Sequence, residues 1–101
     1  MTIEEIKQKI TPLLEQAGLE YAGIFGSVAR GEARGDSDID ILVKFNGQPT
    51  FSAYLKLADN LHTRLKQGID LVTEGAVNKF LRPQIEKDLK VIYGQRQNLS
   101  H

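Results

Sequence analysis

Asp38 and Asp40 stand two residues apart at the head of an apolar run, Ile39 to Val43. On an extended chain alternate side chains leave the same face. Both carboxylates would therefore share one side, while Ile39, Ile41 and Val43 turn to the other and pack against helices. An isolated pair of this kind repels itself and one pKa rises; a divalent cation turns the repulsion into coordination. Magnesium suits the donors, because it takes hard oxygen ligands and is held by one or two carboxylates together with substrate phosphates. Alone, an Asp-x-Asp pair is better explained by a solvated strand face, so its company matters.

Gly26-Ser27 falls between an expected strand and an expected helix. Backbone N–H groups and the positive helix end would face an anion there, and the Ser27 hydroxyl could donate to a phosphate oxygen. Arg30, one helical turn on, could add charge to the same anion, with Arg34 a poorer candidate. A tight turn at Gly26 with Ser27 as an ordinary N-cap is the plainer alternative. Neither familiar phosphate loop is present, since the glycines do not space as G-x-G-x-x-G and no Gly-Lys-Ser/Thr ending occurs. Asp70 lies within the short run Ile69 to Val72, where an acid is unfavourable unless it meets solvent or a cation. If its strand neighbours that of Asp38, the three acids could gather around two metals about 3.5–4 Å apart, and Asp70 could also orient an attacking hydroxyl. An exposed strand-edge acid explains Asp70 equally well.

The elements that must position these residues follow from periodicity. Ile3, Ile6, Ile10, Leu13, Leu14 and Ala17 fit a helix opened by a Thr2/Glu5 capping box and closed at Gly18. Tyr21 to Phe25 is a strand, Ser27 to Ala33 a brief helix, and Asp38 to Phe45 a second strand followed by an Asn46-Gly47 turn. Phe51 to Leu65 gives a long helix ended by Gly68, and Ile69 to Val72 a third strand. Val77 to Leu89 has helical spacing, which Pro83 would disturb unless the helix begins there; Val91 to Tyr93 adds a fourth strand, and 94–101 is a polar, frayed tail. The expected architecture is a small α/β domain of the α+β kind, spanning residues 1–101, with a mixed sheet of three to four strands flanked by helices.

The 101 residues are 41% hydrophobic, lack cysteine, and carry 13 basic and 13 acidic side chains. That composition fits a single core, excludes thiol chemistry and disulfides, and disfavours a constitutive nucleic-acid binder. No signal-like or membrane-length apolar stretch occurs, so a cytoplasmic setting is expected. His62 and His101 read as incidental. Phe25, Phe45, Phe51, Tyr54 and Phe80 fall on apolar periodicities and are expected in the core.

The stretch GSVARGEARGDSDIDILVKF resembles the signature of the DNA polymerase beta-like nucleotidyltransferase superfamily, and the acid of GIDLV matches its third carboxylate. The first helix, the signature, the long helix and the IDLV strand together resemble the minimal nucleotidyltransferase (MNT) family of prokaryotes across nearly the whole chain. The resemblance implies that Asp38, Asp40 and Asp70 are the metal ligands for Mg²⁺, with two ions expected. It makes Gly26 and Ser27 contacts of an ATP triphosphate, with Arg30 beside them. It further implies an antitoxin paired with a HEPN-domain ribonuclease toxin, modifying a toxin tyrosine with AMP from ATP. Two other readings stay open: a binding module that neutralises a partner by contact, and nucleotide transfer to a small molecule or an RNA end.

Overall fold

A computed structural model describes residues 1–96 of the chain. Helix α1 (Ile3–Gln16) opens on the expected capping box: Glu5 N–H donates to Thr2 Oγ1 at 3.1 Å and Thr2 N–H to Glu5 Oε1 at 3.2 Å. Two orphan helix donors are satisfied at once. Its stripe Ile6, Ile10 and Leu14 is fully buried, and Gly18 takes the left-handed turn that releases the chain into strand β1 (Leu19–Phe25). Helix α2 (Gly26–Arg30) is shorter than expected, because Gly31 adopts φ 74° and ends it before Ala33.

Strand β2 (Ile39–Phe45) leads into helix α3 (Phe51–Leu65), whose buried face is Leu57, Leu61 and Leu65 and whose N-cap is Thr50. The helix ends at Lys66, which itself takes the left-handed conformation at φ 57°. Gly68 therefore does not terminate it, contrary to expectation. Strand β3 (Ile69–Thr73) runs parallel to β2, as a crossover through α3 permits, and a 3₁₀ turn at Glu74–Ala76 follows. Residues 77–81 are not helical. Asn78 Oδ1 accepts from the N–H groups of Phe80 and Leu81, and helix α4 (Arg82–Asp88) begins with Pro83 in its first turn, where a missing N–H costs nothing. Strand β4 (Lys90–Gly94) completes a four-stranded sheet of order β3-β2-β1-β4, antiparallel except for β2 and β3.

The sheet has two covered faces. Ala22, Ile24, Ile39, Ile41 and Val43 pack with α1 and α3 in the larger core, while Tyr21, Phe25, Leu42 and Ile85 form a smaller one under α4. Phe51 and Phe80 leave the expected core: they are 75% and 83% exposed, since Phe51 only opens α3 and Phe80 sits in the turn before α4. Phe25 and Phe45 are buried, and Tyr54 donates its hydroxyl to the Leu71 carbonyl at 2.6 Å.

Beneath the smaller core the Tyr21 hydroxyl donates to Glu74, while Arg96 donates to Glu74 at 3.1 Å and to Glu86 at 2.7 Å. Arg96 is thus tied down rather than frayed; the remainder of the expected tail, 97–101 with His101, lies outside the described residues. Among the described residues no helix is long and apolar enough to cross a membrane.

Leu61 is fully buried where α3 meets the sheet. Truncation to alanine removes buried methylenes and leaves a cavity, so Leu61→Ala should cost about 2–5 kcal/mol. A lowered urea midpoint with an unchanged denaturant slope would check this.

Candidate active site

The expected site residues assemble at one end of the sheet, where β1 finishes and β2 and β3 begin. The parallel register sets Asp40 directly beside Asp70, and the antiparallel register sets it beside Phe25, the residue before Gly26. This follows from the sequence pattern: burying Ile39, Ile41 and Val43 against α1 and α3 forces Asp40 to the opposite face. Asp38 precedes β2 and is exposed, as is Asp70; Asp40 is partly buried. The approach to Asp38 is tied to β3, because Gln67 Nε2 donates to the Ser37 carbonyl at 2.9 Å and Ile39 N–H donates to the Gly68 carbonyl at 2.9 Å. Arg34 contributes through its backbone, whose N–H donates to Ser37 Oγ at 3.0 Å.

Two glycines make room for two of the acids. A Cβ on Gly26 would overlap the Asp40 carboxylate, and a Cβ on Gly68 would overlap that of Asp38. Gly26 is constrained twice, since its φ of 75° also lies in the left-handed region. Sequence reading took Gly26 for a turn and phosphate seat and Gly68 for a helix stop. Their service as space for carboxylates depends on which strands become neighbours, which no local pattern carries. Helix α2 starts at Gly26 with Phe25 as its N-cap, so Ser27 lies inside the first turn instead of capping it, and among the described residues no side chain caps the helix's first N–H groups.

The Asp40 carboxyl is pushed up to about 6 from its ordinary 3.8, first by burial and then by the negative charges of Asp70 and Asp38; Arg30 opposes the shift. Among the described residues no three acidic, histidine or cysteine side chains form a ready-made metal cage. The Asp38 carboxylate instead rests over Gly68. Asp40 and Asp70 nevertheless form a side-by-side pair, and magnesium needs only one or two protein carboxylates when phosphate oxygens complete its shell. The donor chemistry therefore fits that ion.

Arg30 is held at two points. Its Nε donates to Glu32 Oε1 at 2.8 Å and one Nη to Asp88 Oδ2 at 2.7 Å. Asp88 was not foreseen, because a single acid near the end of α4 has no local signature of burial. Among the described residues a cleft of about 730 Å³ lies between the start of α1 and α2 and includes Arg30 but none of the three acids. The carboxylates do not line it, so size is a poor guide to the chemistry here. His62 is exposed on α3, with Nδ1 at 2.7 Å from the Gln67 carbonyl oxygen.

A sheet end that sets adjacent carboxylates beside a strand-to-helix glycine turn is the arrangement expected of a nucleotidyltransferase. The chain belongs to the polymerase beta nucleotidyltransferase family, whose profile matches residues 8–98. The protein adenylyltransferase MntA of Thermococcus cleftensis is 33% identical over 93 residues, covering 88% of this chain and 94% of that one. A chain from the crystal structure of a toxin-antitoxin with AMP-PNP superposes with a TM-score of 0.77 at 29% identity, over 89% of this chain and 74% of that one. A chain from the complex of a tri-AMPylated Shewanella oneidensis HEPN toxin with MNT antitoxin superposes with a TM-score of 0.71 at 26% identity, over 91% of this chain and 72% of that one.

The raised Asp40 carboxyl has a signed consequence in metal-free protein. Between its ordinary 3.8 and about 6 the folded chain binds a proton that the unfolded chain does not, so stability falls as pH rises through that window. Asp40→Asn removes the penalty. Thermal melts in chelator should show the variant more stable than wild type at pH 8, with the gap closing near pH 4.

Proposed function

We propose that this chain transfers AMP from ATP to a tyrosine hydroxyl of a HEPN-domain ribonuclease toxin and thereby acts as its antitoxin in the cytoplasm. The observation that carries the reading is the pairing of Asp40 with Asp70 next to Gly26, in a chain whose relatives include a protein adenylyltransferase and an MNT antitoxin complexed with an AMPylated HEPN toxin. Asp38, Asp40 and Asp70 would hold magnesium, which when bound supplies charge neutralisation at the triphosphate. Gly26 and Ser27 present backbone N–H groups and a hydroxyl to the phosphates, and Arg30 adds a fixed positive charge.

The tyrosine oxygen attacks the α-phosphorus as the bond to the β-phosphate breaks. Pyrophosphate leaves, and the tyrosine proton passes to Asp70 or to water. Asp70 suits the task of orienting the hydroxyl because it is exposed while its neighbour Asp40 is partly buried. Asp38 and Asp70 are both exposed, which leaves the partner's own surface to complete the acceptor side. An AMP attached near a ribonuclease centre adds negative charge and bulk, both of which oppose entry of an RNA phosphate backbone.

Intact-mass measurement of the HEPN partner after incubation with this chain, Mg²⁺ and ATP should show gains of one or more AMP units. Asp38→Asn combined with Asp40→Asn should abolish the gain while leaving the melting profile cooperative. An unmodified partner in a stable, inactive complex would instead identify a contact-only antitoxin. Gly68→Ala displaces the Asp38 carboxylate without removing any charge. It should slow transfer by roughly 10–100-fold, since small misplacements of catalytic groups are costly.

A further inference from the structure

Asp88 is the buried charged side chain among the described residues, only 5% exposed at the end of α4. A charge out of water is costly unless it is paired and hydrogen-bonded. Here its Oδ2 accepts from Arg30 at 2.7 Å and from Gln84 Nε2 at 3.1 Å. Burial alone would raise the Asp88 carboxyl; the bonds from Arg30 and Gln84 outweigh it and hold the group below its ordinary value, ionised. Helix α4 thus presents a fixed anion to the arginine at the end of α2.

The geometry of that arginine is informative. A guanidinium has five donors in a planar fork, and holding Nε on Glu32 and one Nη on Asp88 fixes the plane. Among the described residues the other Nη makes no hydrogen bond, so part of the fork stays available. Arg30 also acts on Asp40, whose carboxyl it pulls downward. A partly exposed arginine on a five-residue helix would otherwise sample many rotamers. Buried ion pairs are weak contributors to stability against apolar packing, so orientation is the better account of an acid placed there.

We infer that Asp88, supported by Gln84, is a positioning residue: it acts through Arg30, holding the guanidinium in readiness for the anionic phosphates of the nucleotide. The inference rests on the nucleotide reading above but not on the identity of the acceptor.

Calorimetric titration with α,β-methylene ATP and Mg²⁺ tests it without requiring transfer. Asp88→Ala should weaken binding roughly 5–10-fold and Arg30→Gln at least as much. In the Arg30→Gln background Asp88→Ala should have no further effect, because the residue it acts through is gone. Asp88→Asn keeps an acceptor oxygen and should recover part of the affinity. Should Asp88→Ala fail to fold, Asp88→Asn and Gln84→Ala carry the same cycle. Equal losses in both backgrounds, or a lowered Tm with unchanged affinity, would overturn the positioning role. A wild-type chain that binds the analogue and obeys the cycle, yet modifies no partner, would sink the acceptor assignment alone; a wild-type chain that binds no analogue sinks both.

Discussion

The site depends above all on the register of one strand. β2 lies between β1 and β3 and is held on both sides, and its alternation of Ile39, Ile41 and Val43 against Asp40 and Leu42 allows a single placement. A slip by one residue would drive Asp40 into the larger core and turn three aliphatic side chains toward α4. The apolar face thus specifies the face that carries Asp40. Because β3 runs parallel in the same register, a second acid two residues into it arrives beside the first without further machinery.

Around this pair the chain spends glycines and charges asymmetrically. The formal charge is zero overall, yet Asp40 feels the negative charges of Asp70 and Asp38 against the single opposing charge of Arg30. The molecule holds a local excess of negative charge that water alone screens poorly at the half-buried Asp40. Gly26 and Gly68 let the carboxylates lie close against neighbouring backbone. A site assembled by omitting side chains is compact, which is how Asp38, Asp40 and Asp70 share one sheet end with the turn at Gly26.

Much of this was legible in the sequence, for definite reasons. The stripes of α1 and α3, the capping box and the alternation of β2 are local patterns with fixed periods, so they survive without tertiary knowledge. The signature joining Gly26, Ser27, Asp38 and Asp40 is a composite of spacings, and residues 8–98 match the family it resembles. What stayed hidden is non-local. Gly68 reads as a helix stop until β3 is seen to pass Asp38, and nothing marks Asp88 until α4 packs beside α2. Phe51 and Phe80 misled for the opposite reason: their spacing is helical, but one precedes the buried stripe and the other sits in a turn stabilised by Asn78.

The contacts of Arg96 carry a consequence for handling the molecule. Glu74 follows one edge strand of the sheet and Arg96 follows the other, so their ion pair, with the Tyr21 hydroxyl on the same carboxylate, works as a strap from edge to edge. A strap of this kind restrains the splaying of strands that carry the acids at their far ends. The chain's boundary for engineering purposes therefore lies beyond Arg96: a fusion joined after it leaves the strap closed, whereas trimming back to Gly94 would release the strap while leaving every residue of the candidate site in place.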